Sequence, residues 1–155
     1  MSEHGAKVQW RRKPDEAFAK GRYSRAHTWH FDGGAEVNAS ASPHVVPLPW
    51  SDASAVDPEE AYVAALSSCH MLWFLSITAA QGFVVESYDD EPLGRMHEVR
   101  PKREAVTEVV LRPKVVFDPA HAPSSAQLAA LHHQAHDHCF LANSVKTEIR
   151  IEPRF

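Results

Sequence analysis

From residue 61 to residue 85 (AYVAALSSCHMLWFLSITAAQGFVV) the chain carries no Asp, Glu, Lys or Arg. Around that run the apolar positions come in shorter, strand-like stretches. Residues 6–12 (AKVQWRR), 23–31 (YSRAHTWHF) and 35–42 (AEVNASAS) read as strands. Asp32-Gly33-Gly34 makes a hairpin turn between the last two, since glycine supplies the positive φ such turns need. Prolines 43, 47 and 49 mark 43–57 as a loop. Asp57-Pro58-Glu59-Glu60 is a helix start: Asp57 caps free N–H groups, Pro58 takes the first helical position, and two acids complement the dipole. The helix is expected to run to about Gln81, with Gly82 as its left-handed cap. Strand patterns return at 84–89 and 107–117, with Pro113 implying a bulge or an edge in the second. A second helix begins at Ser124 or Ser125 and ends near Leu141, the segment 118–123 is a plain connection, and 145–151 (VKTEIRI) alternates as a closing strand. Strands and helices are segregated along the chain, which reads as α+β.

The 155 residues fit one domain, 1–155, large enough to bury a core without disulfide staples. The formal net charge of −4, with scattered basic residues, argues against a nucleic-acid surface. Residues 1–10 hold no apolar run of the kind a leader needs, so a reducing, cytoplasmic setting is expected for the two cysteines. The uncharged run is long enough to span a membrane, yet Ser67, Ser68, Cys69, His70, Thr78 and Gln81 interrupt it and no basic flank follows. A helix apolar nearly all round is also what a buried helix looks like, and that is the reading adopted, with no membrane partner.

Cys69 and Cys139 are the candidate chemistry. Cys69 lies well past the first turn of its helix, where the dipole has faded. A free thiol of pKa ~8.5 is only about 3% thiolate at pH 7, so a cation brought in by the fold would be needed to activate it. Cys139 sits at the end of the second helix, where an anion is disfavoured, so it should be the less acidic thiol. The plain alternative for both is a buried small hydrophobe. Histidine is abundant: His132 and His136 share a helical face with Cys139, and with His70 they make a possible zinc set. The competing reading places His132, His133, His136 and His138 on a solvated face, with no metal bound. Among aromatics, Tyr62 and Trp73 on the long helix serve either the core or an apolar substrate pocket, and Trp50 in the proline-rich loop is a candidate lid.

The stretch Asp57-Pro58-Glu59-Glu60-Ala61-Tyr62-Val63-Ala64-Ala65-Leu66-Ser67-Ser68-Cys69 resembles the first motif of the OsmC/Ohr family, the osmotically inducible and organic hydroperoxide resistance proteins. That motif reads Asn/Asp-Pro-Glu-Glu/Gln-x-x-x-Ala-Ala-x-x-Ala/Ser-Cys. The stretch from Ala135 through Cys139 to Val145 resembles the family's second motif, 70 residues on, and the element order matches over nearly the whole chain. Phe140 stands where the family usually has proline, and Ala142-Asn143 where it has Ser-Asn.

The resemblance implies an OsmC-like fold in an intertwined homodimer, with both subunits lining each site. It implies a thiol peroxidase in which Cys69 attacks an organic hydroperoxide and Cys139 resolves the sulfenic acid to a disulfide. No cofactor is bound, and an external dithiol, such as a lipoylated protein, resets the pair. Glu59 matches the acid that holds the family's catalytic arginine. One branch of the family carries that arginine near the first hairpin, which points to Arg25 ahead of Arg22. Two other readings stay open: a binding or scaffold protein that kept the fold without turnover, and a zinc site at Cys139, His132 and His136.

Overall fold

A computed structural model describes residues 1–154. The chain clusters into two compact units, residues 1–61 and the remainder from Tyr62. The first unit is an antiparallel sheet, ordered β1 (Ala6–Gln9), β2 (His27–Phe31), β3 (Glu36–Ala39). The hairpin between β2 and β3 turns at the expected glycines, with Gly34 at φ 86° and the Phe31 N–H donating to Ala35 O at 3.0 Å. The strands are shorter than the sequence pattern implies. Residues 10–12 leave the sheet, and 23–25 belong to an aromatic turn ahead of β2. The proline-rich loop is pinned along β3 by Ser40 N–H to Val56 O and Val56 N–H to Asn38 O, both 3.0 Å.

Helix α1 (Pro58–Ala80) starts as its sequence dictates. Asp57 Oδ1 accepts the Glu60 N–H at 2.8 Å, and Glu60 Oε2 accepts the Asp57 N–H at 3.2 Å, a reciprocal cap. It ends on Gly82, whose φ of 82° lets the Phe83 N–H reach Thr78 O at 3.2 Å.

The second unit carries two small sheets. β4 (Val85–Asp89) pairs antiparallel with β7 (Lys114–Phe117). β5 (Leu93–Arg100) and β6 (Arg103–Leu111) form a hairpin, and β8 (Glu148–Ile151) lies parallel to β6. Two of these strands differ in kind from the sequence reading. β5 is an additional strand, exposed at all but one position, so its sequence carries no alternation. The expected strand 107–117 is two strands, because Arg112-Pro113 is a corner: the Arg112 N–H donates to Asp90 Oδ1 at 2.6 Å and the missing donor of Pro113 falls outside both ladders.

Helix α2 (Ser125–His138) opens on a capping box between Ser124 and Gln127 and ends at His138, three residues earlier than expected, with Cys139 as its last cap. Two clusters fill the unit. Leu66 of α1 packs with Val109 and Leu111 of β6, while Phe74 of α1 packs with Leu131 and Ala135 of α2. Gly94 in β5 admits the first: a Cβ there would stand 2.6 Å from Val63 Cγ2 of α1.

Candidate functional site

Cys69 of α1 neighbours Cys139 at the end of α2, where the two helices pack together. Phe74, one turn and a half beyond Cys69, and Ala135, one turn before Cys139, lie in the same buried cluster. Both thiols are free, Cys69 half-buried and Cys139 at 2% exposure. Burial pushes the Cys139 thiol up to about 11, and the neighbouring Cys69 thiol adds to the effect. The Ala142 N–H, donating to Cys139 Sγ at 3.4 Å, works against it.

The turn after Cys139 is held by the second motif's own side chains. Asn143 Nδ2 donates to Asp137 O at 2.9 Å and to Cys139 O at 3.0 Å, and Ser144 Oγ donates to Phe140 O at 2.7 Å. These bonds satisfy carbonyls that the helix end leaves free. On the other side, Ser67 Oγ donates to Asp90 Oδ2 at 2.5 Å, tying the cysteine-bearing part of α1 to the corner before β5.

One pair near the site, grouped from the sequence only as part of a possible zinc set, is instead a buried bridge. His132 is not on a solvated face: it is 3% exposed, and His70 is 1% exposed. His70 Nε2 and His132 Nδ1 share a hydrogen bond of 3.1 Å, and Phe74 packs on the His132 ring at 4.3 Å. Burial holds both imidazoles far below their usual range, His70 at about 3 and His132 at about 4, with His132 and His136 adding to the depression at His70. Both are therefore neutral at pH 7. Either tautomer of the bridge leaves one unpartnered N–H and one unpartnered lone pair at His70 Nδ1 and His132 Nε2. The signal in the sequence was His132 lying i+4 from Leu128 and one residue after Leu131, positions that are apolar and face inward. Among the described residues no group of three or more His, Cys, Asp or Glu side chains is arranged to hold a metal, and the zinc set is not assembled.

The remaining candidates stand as follows. Tyr62 packs against the Leu66 cluster, and its hydroxyl is hydrogen-bonded to Thr147 Oγ1 at 2.6 Å, so it belongs to the core. Trp73 packs against His138 and Phe140, the two sequence neighbours of Cys139. In the first unit, Trp50 is half-buried and its carbonyl accepts the Arg25 N–H at 2.9 Å. Arg25 lies 3.7 Å over the Tyr23 ring, and its Nη1 donates to Gly21 O at 3.0 Å and Tyr23 O at 2.5 Å. With Trp10, Phe18 and Tyr23 it lines an apolar groove of about 470 Å³. Arg22 is exposed. Glu59 is half-buried in the first turn of α1, and among the described residues neither it nor Arg25 forms an ion pair within the chain.

Two helices that present a cysteine each, beside small sheets and a separate three-stranded one, define an OsmC-like α+β protein. The family model for OsmC-like proteins matches residues 51–154, and the chain belongs to that family. An OsmC-like protein of unknown function from Vibrio cholerae is 57% identical, with a TM-score of 0.96 over 99% of this chain and 100% of that one. An organic hydroperoxide resistance protein from Legionella pneumophila shares the fold at 14% identity and a TM-score of 0.73, over 100% of this chain and 98% of that one. The organic hydroperoxide resistance protein OhrB of Bacillus subtilis does so at 14% identity and 0.61, over 97% and 98%. No curated protein matches the chain.

Proposed function

We propose that this protein is a two-cysteine thiol peroxidase that reduces organic hydroperoxides to alcohols. The observation that carries the reading is the approach of Cys69 and Cys139, both free thiols, from separate helices of an OsmC-family fold. Their environments suit different tasks. Cys69 is the more accessible thiol and meets the peroxide, while Cys139 is enclosed and held protonated until a sulfenic acid forms beside it.

In the first step the Cys69 thiolate attacks the terminal peroxide oxygen. An S–O bond forms, the O–O bond breaks, and the departing alkoxide takes a proton to leave as the alcohol. Cys139 then attacks the sulfenic sulfur: an S–S bond forms, the S–O bond breaks, and water leaves. An external dithiol of the lipoyl type, free or protein-bound in the cytoplasm, supplies two electrons and is itself oxidised to the disulfide.

The working form is a homodimer. α1 carries no charge from Ala61 to Ala80, only 22% of its most apolar stretch is buried within the chain, and Leu72 is 61% exposed. A second copy is the natural cover for that face. In the dimer Arg25 is the cation that supports the Cys69 thiolate, and Glu59 grips its guanidinium. The deciding experiment supplies purified protein with cumene hydroperoxide and dihydrolipoamide. Catalytic turnover that disappears in Cys69→Ser supports the proposal, and no turnover in the wild type overturns it. A binding protein without turnover is the second reading, and the observation favouring it is the bonding of Arg25 to carbonyls of its own turn.

A further inference from the structure

Trp73 lies four residues after Cys69 on α1, so its side chain leaves the same helical face about 6 Å further along the axis. Both sequence neighbours of Cys139 pack on its indole. The His138 ring stacks on it with centroids 5.1 Å apart and planes 24° apart, and the Phe140 ring meets it edge-on at 5.3 Å and 81°. These three rings thus join the helix turn after one cysteine to the residues on either side of the other.

The unusual member is Phe140. Cys139 beside it is 2% exposed, whereas Phe140 is 69% exposed. It is not on a loose loop, because Asn143 and Ser144 bond the carbonyls of Cys139 and Phe140. A large apolar ring, next in the chain to Cys139, is therefore held at the surface by a fixed turn. Resolution of a sulfenic acid does not need a ring there, and proline is what this family usually carries at that position. A ring held in place beforehand loses little conformational freedom when a ligand covers it.

We propose that Trp73, His138 and Phe140 form an aromatic rim that selects hydroperoxides bearing an aryl group on the peroxide carbon over purely alkyl ones. The inference rests on the peroxidase reading. With the terminal oxygen at Cys69, the organic substituent extends two bonds beyond it, and the rim lies about one helical turn away. An aryl group placed there meets Phe140 and Trp73 in offset or edge-on contact, a geometry that favours aromatic over aliphatic partners by about two- to tenfold. Phe140 and Trp73 are specificity-determining residues in this account and take no part in the electron transfer.

Cumene hydroperoxide and tert-butyl hydroperoxide make the comparison direct, since they differ by a phenyl group in place of one methyl. The ratio of their kcat/KM values would be measured with dihydrolipoamide for the wild type and for Phe140→Ala, Phe140→Leu and Phe140→Tyr. Phe140→Ala and Phe140→Leu should lower the cumene preference by about two- to tenfold, mainly through a higher KM for cumene hydroperoxide. Phe140→Tyr should restore it, because the ring returns. An unchanged ratio in both ring-less variants, or equal losses for the two peroxides, overturns the rim. A wild type that consumes neither peroxide removes the peroxidase reading and the rim together, and that failure is seen before any variant is made.

Discussion

Acid should unfold this protein through His70 and His132. Both imidazoles are neutral in the native state, at about 3 and about 4, whereas the unfolded chain holds them near the ordinary ~6.5. Above that value neither state binds a proton at these sites, and the full native stability is present. Below it the unfolded state takes up protons that the native state refuses, so stability falls as pH drops from about 6.5 towards the native values. Each depressed histidine costs about 1.4 kcal/mol per pH unit in that window. Between pH 6.5 and pH 5 this is about 2 kcal/mol each, or about 4 kcal/mol for the pair. A domain of ordinary stability, about 5–15 kcal/mol, loses a large share of it.

After burial, repulsion from His132 and then from His136 makes a proton on His70 still less favourable. The assay is urea unfolding followed by tryptophan fluorescence at fixed protein concentration, from pH 8 to pH 5. The midpoint should fall by about 2 M between pH 7 and pH 5 for a slope of about 2 kcal/mol/M. His132→Gln keeps a hydrogen-bonding group for His70 Nε2 and removes one titration, so its pH dependence should be about half as steep. A wild-type midpoint that does not move between pH 7 and pH 5 refutes the reasoning. A variant that keeps the full slope places the acid sensitivity in other histidines.

Cys139→Ser should consume about one equivalent of peroxide per chain and stop, leaving one added oxygen on Cys69 by mass spectrometry. On that background, Arg25→Ala should slow the reaction of Cys69 with peroxide by tenfold or more, about 1.4 kcal/mol of barrier, and Arg22→Ala by much less, read by stopped-flow kinetics. Gly94→Ala should cost about 1–3 kcal/mol in urea unfolding, since its Cβ would overlap Val63 and the helix or the strand must shift. Leu72→Glu should convert a dimer mass in light scattering to a monomer mass at micromolar concentration, because a carboxylate would be buried against the apolar face of α1.

The elements that were legible are those whose signals are local. α1 announces itself through Asp57, Pro58 and Glu60 at one end and Gly82 at the other, and every one of those residues takes the role its chemistry suggests. β2 and β3 are legible from a two-glycine turn. β5 was not, because a strand exposed at seven of its eight positions has no apolar side to reveal. The break between β6 and β7 was not legible either. It depends on a bond from Arg112 to Asp90, and Pro113 alone is compatible with both a bulge and a corner.

The candidate site divides in the same way. The cysteines are legible because each lies in a contiguous motif, and Asn143 has a role there in bonding the carbonyls of Asp137 and of Cys139 itself. The His70–His132 bridge spans two helices: the spacing from Leu128 and Leu131 turns His132 inward, but nothing local to α2 names its partner on α1. The arginine is harder again. Arg25 and Glu59 have no ion-pair partner among the described residues, and α1 turns an uncharged face to solvent. In the proposed dimer a second copy of the chain would cover the apolar face of α1 and give Arg25 and Glu59 ionic partners. A site completed across two chains leaves its components far apart in sequence and unpaired within each chain, which is why Leu72→Glu should reduce peroxide turnover as well as the mass. Turnover that persists in a monomeric Leu72→Glu variant would show that one chain supplies its own cation.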